Sequence, residues 1–156
     1  MTKKTLIVYY SWSQTTKRMA KVLQQVSQAD LVELTVADGT FSTDMYQTSD
    51  IAQKQLQTGA LPKLTNSQVN VSLYDLILVG GPVWSGAVAT PVRSFLQQLT
   101  NYNGKIAPFY TSAGSDEKYE TNFQSLLKKN ALPGFGTTAA DLSHIKEQLQ
   151  KWWESL

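Results

Sequence analysis

Directly after the apolar run LIVYY the chain reads SWSQTT, which places hydroxyls at Ser11, Ser13, Thr15 and Thr16 within six residues. A single hydroxyl there is explained as a helix cap, and Ser13 or Thr15 could serve as one. Four suit a ligand with several acceptor oxygens, and a phosphate is the first candidate. The unpaired amides at a helix amino terminus carry positive partial charge, so with hydroxyl donors they can hold an anion without a lysine cradle. Lys17 and Arg18 follow at once. Cations in a first turn oppose the helix dipole, at a cost of about 0.3–1 kcal/mol, unless an anion sits there.

Two further segments have the composition of ligand loops. GGPVWSGAVATP, residues 80–91, is shaped by glycine and proline and holds Trp84 as a large flat surface. TSAGSDEKYETN, residues 111–122, is small and polar, with Gly114 allowing close approach of the backbone. Each alone reads equally as an ordinary turn, with Trp84 folded onto the core. Together they describe a phosphate pocket, a stacking wall and an amide-lined edge.

The elements that must bring these segments together follow from hydrophobic pattern. The runs at residues 6–10 and 76–80, and KIAPFYT at 105–111 with Pro108 as a blemish, read as buried parallel strands. DLVELTV, residues 30–36, alternates as a strand near an edge does, and GFGTTA, residues 134–139, is a weak fifth strand. Between them lie apolar stripes of helical period through Met19 and Leu23, Val92 and Phe95, Tyr119 and Phe123, and Leu149 and Trp152. Residues 44–58 form a further helix with a poorer stripe, and Pro91 after Thr90 marks a helix start. Strand and helix alternate five times. The expectation is one α/β domain over residues 1–156, a three-layer, doubly wound, five-stranded parallel sheet in the order 2-1-3-4-5. In that order a crevice opens at the carboxyl ends of strands one and three, where the loops lie.

Composition narrows the chemistry further. The 156 residues include no cysteine, which excludes thiol nucleophiles, iron–sulfur clusters and disulfides, and the single histidine, His144, makes a transition-metal site improbable. The net charge of +2 comes from 14 basic and 12 acidic residues, scattered rather than gathered into a nucleic-acid patch. The amino-terminal apolar stretch is too short for a signal peptide or a membrane span, so a cytoplasmic location is expected, with no membrane and no nucleic-acid partner. No G-x-G-x-x-G or Walker lysine occurs. A receiver domain lacks its acidic residues here, and a low-molecular-weight phosphatase lacks its cysteine.

At these residues the chain resembles the flavodoxin family, and within it the short flavodoxin-like proteins with a YYSxSxxT start and a GxPxWxGxxxxPVRxFL middle. GGPVWSGAVATPVRSFL is the most specific piece, supported by PFYTSAGS, and the resemblance spans nearly the whole chain. It implies a flavodoxin-like fold and noncovalent FMN. Carried over, Ser11, Ser13, Gln14, Thr15 and Thr16 would hold the phosphate. Pro82, Val83, Trp84, Ser85 and Gly86 would line the flavin ring, and Ser112, Ala113, Gly114 and Ser115 would offer amides to its pyrimidine edge, with Tyr119 as a lesser contact. Gln14 stands where the family usually has glycine, and is strained if that position needs a positive φ. Many electron-shuttling members are strongly acidic, whereas this chain is slightly basic. The resemblance implies electron transfer to a redox partner protein or a small-molecule acceptor, by a monomer or homodimer. The alternatives are an FMN-dependent NAD(P)H oxidoreductase of quinone-reductase type and a binding module that has lost its flavin.

Overall fold

The computed structural model describes residues 3–66, 69–114, 116 and 118–156. Eleven elements follow in chain order: β1 (Thr5–Tyr9), α1 (Thr15–Ser27), β2 (Asp30–Glu33), α2 (Met45–Thr58), β3 (Leu76–Trp84), β4 (Ala87–Val88), α3 (Thr90–Leu96), β5 (Lys105–Ser112), α4 (Tyr119–Ser125), β6 (Phe135–Thr138) and α5 (Lys146–Ser155). The parallel ladder runs β2-β1-β3-β5-β6, while β4 folds back antiparallel on the end of β3. Apart from that ribbon, this is the strand order the pattern predicts.

The continuous apolar strands are central because both faces of each are covered. Side chains alternate across a strand, so Leu6, Val8, Ile77, Val79 and Ile106 join one apolar layer with Val92, Phe95 and Phe123 of α3 and α4. Ile7, Tyr9, Leu76, Leu78 and Phe109 join the other, with Met19 and Leu23 of α1 and Leu149 and Trp152 of α5. Gly80 lies in register with Phe109 on the neighbouring strand, and a Cβ at that position would meet the Phe109 ring. Pro108 is tolerated inside β5 because its missing amide faces the β6 side, and pairing with β6 begins only at Phe109. Among the described residues no helix is long and apolar enough to cross a membrane.

Two elements differ from the sequence expectation. β2 leaves the ladder after Glu33, whose partner Tyr9 is the last residue of β1, so residues beyond it have no strand to pair with. Thr35 and Val36 instead bond to the following connection, through Thr65 N–H to the Thr35 carbonyl at 2.8 Å and a bridge from Val36 to Leu64. β3, in turn, continues well past Gly80, so much of the expected second loop is strand.

Candidate functional site

At the carboxyl end of β1 the backbone turns sharply into α1. Gln14 is the N-cap residue, held at φ 74° and ψ −11° with no side-chain cap bond. Left-handed backbone costs a non-glycine residue about 1–2 kcal/mol, and such strain collects at ligand sites. Ser11 is half-buried and its Oγ accepts the Lys17 amide at 3.2 Å. Ser13 is exposed, and its Oγ lies 3.4 Å from Thr15 Oγ1. The first turn of α1 contains no acidic residue. Lys17 needs no bound anion to explain it, because its ammonium lies 3.4 Å from Glu33.

Thr16 is a correction to the expected hydroxyl set. It is buried, and its Oγ1 lies 2.8 Å from Thr111 Oγ1 of β5, so the side chain ties the loop to the sheet rather than facing a ligand. Its amide remains in the first turn of α1. The outward hydroxyls are those of Ser13 and Thr15.

The second segment is a hairpin. Val83 pairs with Val88 and Trp84 with Ala87, leaving Ser85 and Gly86 as a two-residue turn with φ of 52° and 75°. Two consecutive positive φ values are what a tight hairpin turn with the native strand twist requires. The base of the ribbon is clamped to α4: Asn122 Oδ1 accepts from the Val88 amide at 2.9 Å and from Arg93 Nη2 at 3.1 Å, while Arg93 Nε donates to the Val88 carbonyl at 2.8 Å. Trp84 stands half-buried, with the rings of Tyr10 at 5.9 Å and Phe41 at 5.1 Å, both near perpendicular. Burial pushes the Tyr10 phenol up to about 12, so this aromatic support is uncharged at neutral pH. Pro82 and Val83 are half-buried beside it, and Ser85 is exposed at the tip.

The third loop leaves β5 at Ser112, with Ala113 and Gly114 exposed and Gly114 at φ 120°. The Gly114 amide already donates to Ser112 Oγ at 3.2 Å. Ser115 lies outside the described residues. Tyr119 is a second correction, because its side chain is fully buried, stacked on Tyr110 at 4.3 Å, and presents no surface to a ligand. The helical stripe that Tyr119 shares with Phe123 turned it inward. His144 comes round to this loop, lining with Ser112, Gly114 and Asp116 an open hollow at the sheet edge.

One feature beside the hairpin was not anticipated from the sequence. Between the hairpin and α2 lies a cleft of about 270 Å³, walled by Trp12, Val83, Trp84 and Val88 on one side and by Met45 and Ala52 on the other. Trp12 sits inside SWSQTT, and its indole N–H donates to the Ser42 carbonyl at 2.9 Å. The poor apolar stripe of α2 was the available signal: Met45 is 61% exposed and Tyr46 78%, apolar surface the core does not use.

The chain matches the flavodoxin family over residues 4–156. It is 41% identical to a flavoprotein of Lactobacillus acidophilus NCFM solved in complex with FMN, covering 90% of this chain and 97% of that one with a TM-score of 0.79. The NMR structure of the apo form of the flavoprotein from that organism is 42% identical over 92% of this chain and 97% of that one, with a TM-score of 0.68. Oxidised flavodoxin 1 of Bacillus cereus shares the fold at 14% identity, covering 98% and 99% of the two chains with a TM-score of 0.56. No curated protein sequence matches this one.

Proposed function

The chain belongs to the flavodoxin family, and on that premise we propose that it binds FMN noncovalently and transfers electrons through it. The observation that carries this reading is the amino terminus of α1. A strained backbone and outward hydroxyls surround a first turn with no acidic residue and no cap from the Gln14 side chain, in which Ser11 takes the Lys17 amide, beside a hairpin that presents Trp84. That donor set fits a phosphate ester joined to a flat ring. Support also comes from the 41% identical flavoprotein solved with FMN.

In this reading Ser13 and Thr15 donate hydroxyls and the amides of Thr15 and Thr16 donate N–H groups to the phosphate. Pro82 to Gly86 lie along the ring, and the described part of the third loop borders its polar edge. FMN, when bound, supplies one- and two-electron redox chemistry, and the protein's part is to bind it, orient it and set its surroundings. No side chain need act as a base.

Electron transfer as a carrier is the leading form of this function, with a redox partner protein as the other half. A second form, FMN-dependent reduction of a small molecule, is favoured by the net charge of +2, which gives no strong field to steer a protein partner, and by the uncharged cleft beside Trp84. The visible spectrum of purified protein tests the cofactor: flavin absorption bands support the reading. NAD(P)H oxidation with an added quinone separates the two forms, since turnover is expected only of the oxidoreductase.

A further inference from the structure

At the amino-terminal end of the sheet, opposite the three loops, the turn from Asn101 to Gly104 leads into β5 at Lys105. The chain has six asparagines, and the carboxamides of three are occupied. Asn66 accepts from Thr35 and donates to Glu33, Asn70 accepts from Ser72, and Asn122 accepts from Val88 and Arg93. Asn101 and Asn130 are exposed, but the amide after each is engaged. Tyr102 N–H donates to the Leu99 carbonyl at 3.1 Å, and Ala131 N–H donates to Gln124 Oε1 at 2.7 Å. Asn103 is exposed too, and among the described residues neither its carboxamide nor the Gly104 amide after it has a hydrogen-bond partner.

Packing keeps that next residue a glycine. A Cβ on Gly104 would collide with the Tyr102 phenol and lie 2.9 Å from the Asp75 carbonyl oxygen, and Tyr102 is held by its hydroxyl, which donates to the Tyr74 carbonyl at 2.9 Å. With no side chain of its own, Gly104 leaves its nitrogen open to close approach. Lys129 brackets the turn, its Nζ donating to the Tyr102 carbonyl at 3.1 Å and also to the Gly104 carbonyl. A cation so near favours the anionic form of a neighbouring group.

We propose that Asn103 is a self-modification site, whose side chain cyclises onto the Gly104 nitrogen and is converted by water to aspartate and isoaspartate. The Gly104 amide gives its proton to hydroxide, and its nitrogen attacks Asn103 Cγ. The N–Cγ bond forms, the Cγ–Nδ2 bond breaks, and Nδ2 leaves as ammonia with a proton from water. Water then opens the cyclic imide. Cleavage of the new N–Cγ bond gives aspartate, and cleavage of the original peptide bond gives isoaspartate, with the chain running through Cβ. No electrons are exchanged. The new carboxylate forms beside the Lys129 ammonium, and with 14 basic residues against 12 acidic it lowers the net charge from +2 to +1. The chemistry needs no flavin and stands apart from the FMN reading.

The test is incubation of the purified full-length protein at mildly alkaline pH, followed by pepsin cleavage in acid. Mass spectrometry follows each asparagine, and enzymatic methylation counts isoaspartate. Asn103 should convert more than tenfold faster than Asn101 or Asn130, with isoaspartate among the products. Its rate should rise about tenfold per pH unit, because the conjugate base of the amide is the nucleophile. The folded protein should react at no less than a third of the rate of the same chain unfolded in urea, since the turn leaves both reacting groups free. Asn103→Gln, at an exposed position, keeps the fold but needs a larger ring to cyclise, and should lose the early isoaspartate signal. The proposal is overturned by isoaspartate that persists in Asn103→Gln, by Asn101 or Asn130 reacting within tenfold of Asn103, by a folded rate below a third of the unfolded one, or by aspartate formed without isoaspartate, the mark of direct hydrolysis.

Discussion

Thr16 Oγ1 and Thr111 Oγ1 lie 2.8 Å apart in the buried space between the start of α1 and the carboxyl end of β5. That single bond fixes the hydroxyl-rich loop against the strand that carries the third loop, so two of the three loops share one anchor. Removing one partner leaves the other unsatisfied, and a buried unpaired hydroxyl costs about 1–3 kcal/mol. Thr16→Val and Thr111→Val should each lose that much stability in urea denaturation. The double variant should lose less than the sum by at least about 0.5 kcal/mol, and strict additivity would show that the bond is not the anchor.

Gln14 occupies left-handed backbone at φ 74°. Glycine relieves a strain of about 1–2 kcal/mol but adds about 0.5–1 kcal/mol of unfolded-state entropy. Gln14→Gly should therefore leave stability unchanged or raise it by up to about 1.5 kcal/mol, and Gln14→Val, with its branched Cβ, should lower it. A clear loss of stability in the glycine variant would mean that the glutamine side chain makes a contribution of its own.

Alkaline pH should weaken the fold in a defined window. Burial pushes Tyr10 up to about 12, and burial, followed by the neighbouring Tyr110, raises Tyr119 further. An unfolded tyrosine titrates near pH 10, so the folded state favours the neutral phenol. The resulting stability is complete below about pH 10 and is lost as pH rises toward 12 and beyond. Urea midpoints should hold steady from about pH 7 to 9 and fall above about pH 10, with a shallower fall in Tyr10→Phe. A midpoint unchanged to about pH 11.5 would contradict the shift.

Much of this fold was legible because its central strands are apolar on both faces, and a run such as residues 76–79 has few other uses. The weak strands β2 and β6 were recognisable by position, though β2 stops where β1 ends, a limit set by its partner and not by its own residues. The site was legible in its parts rather than its assembly. Ser13, Thr15 and Trp84 keep accessible surface at that end of the sheet. Thr16 and Tyr119 do not, because a hydroxyl or phenol on an otherwise apolar helix face satisfies the core as readily as a ligand. The hairpin was hidden because Gly80, Gly81 and Pro82 read as strand breakers, whereas the parallel pairing with β5 carries β3 through all three. The cleft was hidden because it depends on how α2 sits against that hairpin.

The central claim is that the first loop and α1 hold the phosphate of FMN while the hairpin holds the ring. Titration of the purified apoprotein with FMN and with riboflavin, followed by quenching of flavin fluorescence, tests it most directly. FMN should bind saturably at one per chain with a Kd of about 1 μM or below, and riboflavin, which lacks the phosphate, at least tenfold more weakly, a difference of about 1.4 kcal/mol or more. A protein that leaves FMN fluorescence unchanged, or that binds riboflavin as tightly as FMN, would contradict the account.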